Sequence, residues 1–497
     1  MNDPSPNAIE YVSTGIAGLN QILHGGFLRN GLYLVQGEPG TGKTTMALQF
    51  LLERQRHGDP TLYFNLTESK EDMERAARSH GWSLEGIPIR DLSTSESFKT
   101  EAQYTIFHPY EVELSETTQA ILSEIEHIQP AYVVFDGLSE VRLLAGDPLR
   151  YRRQMLALKQ YFAEKGITAL LLDDRSGPMG PLAPESLVGG NTLLEDYTPS
   201  YGRARRRLRV TKVRGSDFTG GYHDYDITGE GVVVYPRLAA SGQHAPIPSE
   251  RVSSNIAGLD AMLQGGLEPG TTTLILGPAG VGKSTVAFQY AVSAIGLGYP
   301  ATVYAFEEVA HILLGRAEKL CGPLVREAHA DGRLHVQQVD TAEMSPGQFA
   351  QAVRRSVVDK KARVIVIDSL NGYVSSMLEE KTLAMHLHEM FAFLNQQGVV
   401  TIVVAAQHGL INAREAEVEV SYLADTVLVL NNFEASGEIR QSIGVFKKRT
   451  GPHERTLREL NISAEGITVG EPLRGFQGIM TGVPRYEGDT NLVEDRP

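Results

Sequence analysis

Short apolar runs alternate with longer amphipathic ones along the chain, and the alternation occurs twice. In the first half, GLYLVQG (31–37), TLYFNL (61–66), AYVVFDG (131–137) and TALLLDD (168–174) read as buried strands. Their counterparts in the second half are TTLILG (272–277), TVYAFEE (302–308), RVIVIDS (363–369) and VTIVVAAQ (400–407). Between them lie helical patterns such as TTMALQFLLERQRHG (44–58) and STVAFQYAVSAIGLG (284–298). Continuously apolar strands separated by helices predict a mostly parallel sheet covered on both faces, an α/β fold. Each half closes on a basic, strand-like stretch, RRRLRVTKVRG (205–215) and QSIGVFKKRTG (441–451), expected to extend the sheet with antiparallel pairs.

The two halves are copies. STGIAGLNQILHGGF (13–27) recurs as SSNIAGLDAMLQGGL (253–267), an offset of 240 residues from 13 to 253. The same offset carries Gly37 onto Gly277, Lys43 onto Lys283 and Glu68 onto Glu308. A fixed offset of this kind marks a duplicated fold. RLAASGQHAPIPSER (237–251) is rich in Pro, Ala, Ser and Gly and reads as a linker. The expected plan is therefore one domain over 1–236, a second over 252–470, and a loosely ordered tail over 471–497.

The chemistry sits where strands hand over to helices. GEPGTGKT (37–44) and GPAGVGKS (277–284) both fit G-x-x-x-x-G-K-[ST], each after an apolar strand and at the start of a helix. Backbone N–H groups of Gly37, Gly40, Thr41 and Gly42, and of Gly277, Gly280, Val281 and Gly282, would curl around a phosphate at a helix N-terminus. Lys43 and Lys283 would reach the β- and γ-phosphates of ATP, with Thr45 and Thr285 completing the turn. Thr44 and Ser284 would ligate Mg2+, each with a strand-ending carboxylate, Asp136 and Asp368. Glu307 and Glu308 end the strand TVYAFEE, where a base for the nucleophile is needed. The first copy has Thr67 and Glu68 there. Thr67 is no base, so the first site is expected to turn over slowly or to serve as a structural ATP site unless Glu68 compensates.

Together these residues resemble the KaiC family of RecA-like ATPases over nearly the whole chain. The resemblance implies two tandem RecA-like P-loop domains and a homo-oligomer, a hexamer with ATP between subunits. It implies that Lys212 and Arg214, like Lys447 and Arg449, reach a neighbour's phosphates. It also aligns Ser421 of EVEVSYLADTVLVL (417–430) with an autophosphorylated serine, while Tyr422 replaces a second acceptor. A signalling protein partner fits such a switch. The sequence ends soon after RGFQGIMTGVPR (474–485), and a KaiA-type partner is not expected.

Composition narrows the alternatives. The 497 residues carry a net charge of −14, which opposes nucleic-acid binding. A DNA-dependent RecA- or RadA-like ATPase would have to use the Arg-rich runs 201–210 and 150–153, with Arg205, Arg207 and Arg209 on one strand face. A non-enzymatic scaffold that uses ATP only to assemble rings is the other alternative. One cysteine, Cys321, excludes a disulfide framework and fits a reducing compartment. With no bilayer-length apolar stretch and no signal-peptide pattern, a cytoplasmic location is expected.

Overall fold

The computed structural model describes residues 10–92, 109–175, 184–197, 202–238, 246–374, 380–406, 421–481 and 484–486. It divides into two compact units, Met1–Arg237 and Leu238–Pro497.

The first unit is built on a nine-stranded sheet. From one edge its strands run Gly231–Tyr235, His223–Thr228, Arg206–Val213, Gly190–Asp196, Leu32–Gly37, Thr168–Asp174, Tyr132–Asp136, Thr61–Asn65 and Ile89–Asp91. The six strands from Gly190–Asp196 to Ile89–Asp91 are parallel. The remaining edge turns antiparallel at Arg206–Val213. In the second unit the order from the parallel edge is Leu334–Gln338, Ala301–Ala305, Val364–Asp368, Val400–Ala406, Thr272–Gly277 and Thr426–Ala435. Glu438–Lys448, Arg458–Ser463 and Gly466–Pro472 follow as antiparallel additions. Both expected antiparallel extensions are present. The strand carrying each P-loop is central in its sheet.

Continuous apolar strands arise because both sheet faces are covered. Tyr132 and Val134 join one cluster, packed against the helix Lys43–Arg56, while Val133 and Phe135 point into the other. The second unit repeats this with Val364 and Val366 on one side and Ile365 and Ile367 on the other. A period of two thus sorts each strand between two cores.

The repeated opening motif is a turn lock. Asn20 Oδ1 accepts from the Thr14 amide at 2.8 Å, and Asp260 Oδ1 accepts from the Ser254 amide at 2.8 Å. Each fixes the entry to a short helix, Ala17–Ile22 and Ala257–Met262.

Part of the stretch expected to be a loosely ordered tail is held in place. Phe476–Gln477 pairs with Arg485–Tyr486, and the Phe476 ring lies 5.2 Å from Phe433 and 5.0 Å from Tyr486. Residues 239–245 of the expected linker and 487–497 of the tail lie outside the described residues. Among the described residues no helix is long and apolar enough to cross a membrane.

Candidate functional site

Each P-loop bends between a central strand and the first turn of a helix, Lys43–Arg56 or Lys283–Gly296. The helix N-caps are Gly42 and Gly282, at φ of 89° and 96°. A Cβ at these positions would lie 2.7 Å from Ile227 Cδ1 and 2.3 Å from Ile462 Cδ1. Only glycine meets both demands, a left-handed backbone and close packing, which explains the motif's second glycine.

In the first unit Thr44 Oγ1 donates to Asp136 Oδ2 at 2.9 Å, although 92 residues separate them. The fully buried Tyr63 hydroxyl donates to the same oxygen at 2.6 Å. Burial pushes the Asp136 carboxyl up, against the pull of these two hydrogen bonds. In the second unit burial likewise raises the Asp368 carboxyl, against the pull of the neighbouring Ser284 hydroxyl. A hydroxyl and a carboxylate converging beside a P-loop form a hard-oxygen donor set that fits Mg2+. Among the described residues no group of three or more His, Cys, Asp or Glu side chains is placed to hold a metal. One carboxylate with phosphate oxygens is the usual pattern for that ion.

The two acids of the second copy are separated by their partners. Glu307 Oε1 accepts a hydrogen bond from Ser369 Oγ, beside Asp368. Glu308 is paired with Arg316 at 2.7 Å. Glu307 and Asp368 together draw the Lys283 ammonium, whose pKa burial lowers. Glu307 is thus the acid turned toward Ser369 and Lys283, while Glu308 turns to Arg316. In the first copy Thr67 and Gly137 stand where Glu307 and Ser369 do, so the carboxylate and its hydroxyl partner are both replaced. Ala76 stands at the place of Arg316. Asn65 Oδ1 accepts from the Thr67 and Glu68 amides at 3.3 and 3.2 Å and holds that loop. Partial burial and the charge of Asp136 push the Glu68 carboxyl up.

Among the described residues the first site carries a charge network with no counterpart at the second. Lys43 Nζ lies 2.5 Å from Asp174 Oδ1 and donates to the Gly37 and Glu38 carbonyls at 3.0 Å each. Arg142 Nη2 donates to both carboxylate oxygens of Asp173, at 2.8 and 2.9 Å. Gln36 donates to Asp173 at 3.2 Å, and Asn191 donates to Gln36 at 3.2 Å. The strand positions that match Asp173 and Asp174 in the second sheet are Ala405 and Ala406. Two acids ending a strand are visible in the sequence. Their reach to Lys43 and Arg142 is not, and neither are the contacts of Ser369, Tyr63 and Asn65.

The K-x-R pairs occupy matching places. Lys212 Nζ donates to the Glu185 carbonyl at 2.8 Å and Arg214 to the Ser186 carbonyl at 3.2 Å. Lys447 donates to the Ser421 and Ala424 carbonyls at 3.0 and 2.7 Å, and Arg449 to that of Tyr422 at 2.8 Å. Each pair therefore holds the turn that leads into the neighbouring strand. Burial and the adjacent arginine keep both lysines below the ordinary lysine value.

The arginine face is engaged within its own unit. The Arg207 guanidinium lies over Tyr222 at 4.1 Å and Tyr197 at 5.1 Å, and its Nε meets Glu195 at 3.0 Å. Arg209 lies 5.3 Å from the Tyr222 ring, and Arg205 is buried. A strand face so occupied offers little to a nucleic-acid backbone.

A family model described as "ATPase: KaiC" matches residues 12–239 and 252–474. The chain is 27% identical to the circadian clock oscillator protein KaiC of Acaryochloris marina, over 97% of this chain and 93% of that protein. It is 26% identical to the protein of the same name from Synechococcus elongatus, with 97% and 93% covered. It is 24% identical to the circadian clock protein KaiC3 of Synechocystis sp., with 99% and 98% covered.

Proposed function

This chain belongs to the KaiC family of ATPases, and on that premise we propose that its two nucleotide sites divide the work. The second site hydrolyses ATP, with Glu307 as base, and the first binds ATP mainly to hold subunits together. The observation that carries this reading is the Ser369–Glu307 hydrogen bond, replaced by Gly137 and Thr67 in the first copy. A carboxylate fixed by a neighbour is pre-aimed and loses little entropy when it takes a proton from the nucleophile. Thr44 with Asp136, and Ser284 with Asp368, would hold Mg2+, which supplies charge neutralisation across the β- and γ-phosphates. Lys283 and the P-loop amides bind and orient the phosphates.

The assembly is a homo-hexamer with ATP between subunits, and Lys212, Arg214, Lys447 and Arg449 face a neighbour's phosphates. Two cations two residues apart at a strand's end suit an anion, and burial together with the neighbouring arginine lowers both lysine pKa values, which an incoming phosphate would relieve. Ser421 is the phosphoacceptor. Its Oγ attacks the γ-phosphorus, the bond to ADP breaks, and Glu307 takes the hydroxyl proton. The new phosphate adds nearly two negative charges beside Lys447 and Arg449, which would reset the turn and a signalling partner's affinity.

ATPase assays on the assembled fraction of Lys43→Ala and of Lys283→Ala test the division of labour, with turnover per assembled subunit mostly lost only in the second. Intact mass after incubation with ATP tests phosphorylation. Full phosphate incorporation by Ser421→Ala would remove that acceptor from the reading.

A further inference from the structure

Lys43 and Lys283 occupy equivalent P-loop positions but have different partners. Lys283 Nζ donates to the Pro278 carbonyl at 2.7 Å. Lys43 Nζ has two carbonyls and, at 2.5 Å, the Asp174 carboxylate. Sheet register sets the difference. Asp174 stands opposite Gly37, the first residue of the first P-loop, and Ala406 stands opposite Gly277. The Lys43 side chain is 10% exposed and that of Asp174 31%, so the pair is only partly screened by water.

We propose that Asp174 is a built-in counter-ion that competes with the phosphates of ATP for Lys43, making nucleotide uptake at the first site an exchange. The inference rests on the reading of that site as a nucleotide site. Two effects act in the same direction. Lys43 must leave a carboxylate before it binds phosphate, and the carboxylate then repels the incoming negative charge. On release the order reverses: Asp174 gives the ammonium a partner as the phosphate departs, which favours dissociation. Arg142 Nη2 already pairs with both oxygens of the adjacent Asp173, so Asp174 is the acid directed at the P-loop. The two sites of one chain thereby differ in ATP affinity through one residue on a strand outside the P-loop.

The test uses the full chain and mant-ATP with magnesium. In a Lys283→Ala background, which isolates the first site, Asp174→Asn should tighten binding by about tenfold and slow dissociation. In a Lys43→Ala background, Ala406→Asp should weaken binding at the second site by a similar factor. Thermal melts check that each variant is folded. Unchanged or weaker binding in Asp174→Asn overturns the proposal, since the carboxylate would then be inert or would help to hold the ligand. If the Lys283→Ala chain binds no nucleotide with or without Asp174→Asn, the nucleotide-site reading of the first domain fails, and the proposal with it.

Discussion

Ser369 Oγ donates a hydrogen bond to Glu307 Oε1, joining the residue after one strand's aspartate to an acid two residues past the end of the adjacent strand, Ala301–Ala305. Ala305 and Asp368 are Cα partners in the parallel pairing that brings these strand ends together. The hydrogen bond fixes the direction of the Glu307 carboxylate, and on the proposed function the serine is a positioning residue for the base.

Removing the base and removing its anchor should therefore differ. Glu307→Gln is expected to lower kcat by about a hundredfold. Ser369→Ala should lower kcat by several-fold to about tenfold, with little change in KM, because the carboxylate stays but loses its aim. Ser369→Thr, which keeps the hydroxyl, should recover much of the loss. Steady-state kinetics with ATP separate these outcomes, and a large KM change in Ser369→Ala would contradict the positioning role.

The acid side of the pH profile should reflect Asp368. Burial raises its carboxyl, so the group takes up a proton above the ordinary aspartate range. Activity of the second site should fall as pH drops through that raised pKa, and excess Mg2+ should move the fall to lower pH. The stability sign is opposite. A carboxyl whose pKa is raised on folding contributes most below its unfolded pKa, and that contribution is lost as pH rises through the folded value. Asp368→Asn should therefore remove the Mg2+ response without lowering Tm at neutral pH, measured by melts with and without the ion.

Phe349 supports the same site from the core. Its ring meets Tyr304 at 5.0 Å, Phe306 at 5.3 Å and Tyr373 at 5.1 Å, and Phe306 immediately precedes Glu307. Phe349→Ala should destabilise the second domain by about 3–5 kcal/mol. Under conditions where the variant stays folded, kcat should fall more than ATP affinity. Denaturant melts and kinetics on the same preparation check both.

Single-stranded DNA should leave ATP turnover unchanged at low and at physiological salt. Arg207→Ala should cost about 1 kcal/mol of stability through its lost aromatic and Glu195 contacts. Salt-sensitive stimulation by DNA that disappears in Arg207→Ala would restore the nucleic-acid reading.

Much of this protein is legible along the chain because its signals are local. A P-loop is eight consecutive residues between a strand and a helix, and period-two burial writes each buried strand as an apolar run. The fixed offset then announces the duplication, and the acids that end strands lie where their strands end. The sequence also shows that Thr67 stands in place of Glu307.

What only the tertiary structure decided is which side chains meet. Glu307 and Ser369 are 62 residues apart, and Lys43 and Asp174 are 131 apart (43 to 174). Adjacent Glu307 and Glu308 look equivalent in sequence, yet one turns to Ser369 and the other to Arg316. The arginines that line up as a phosphate track in a single strand are taken by Tyr222, Tyr197 and Glu195 once neighbouring segments arrive. The reason is geometric. Strand register and the order 190–196, 32–37, 168–174, 132–136 set these encounters, and both come from packing the whole sheet between its helices rather than from any local preference.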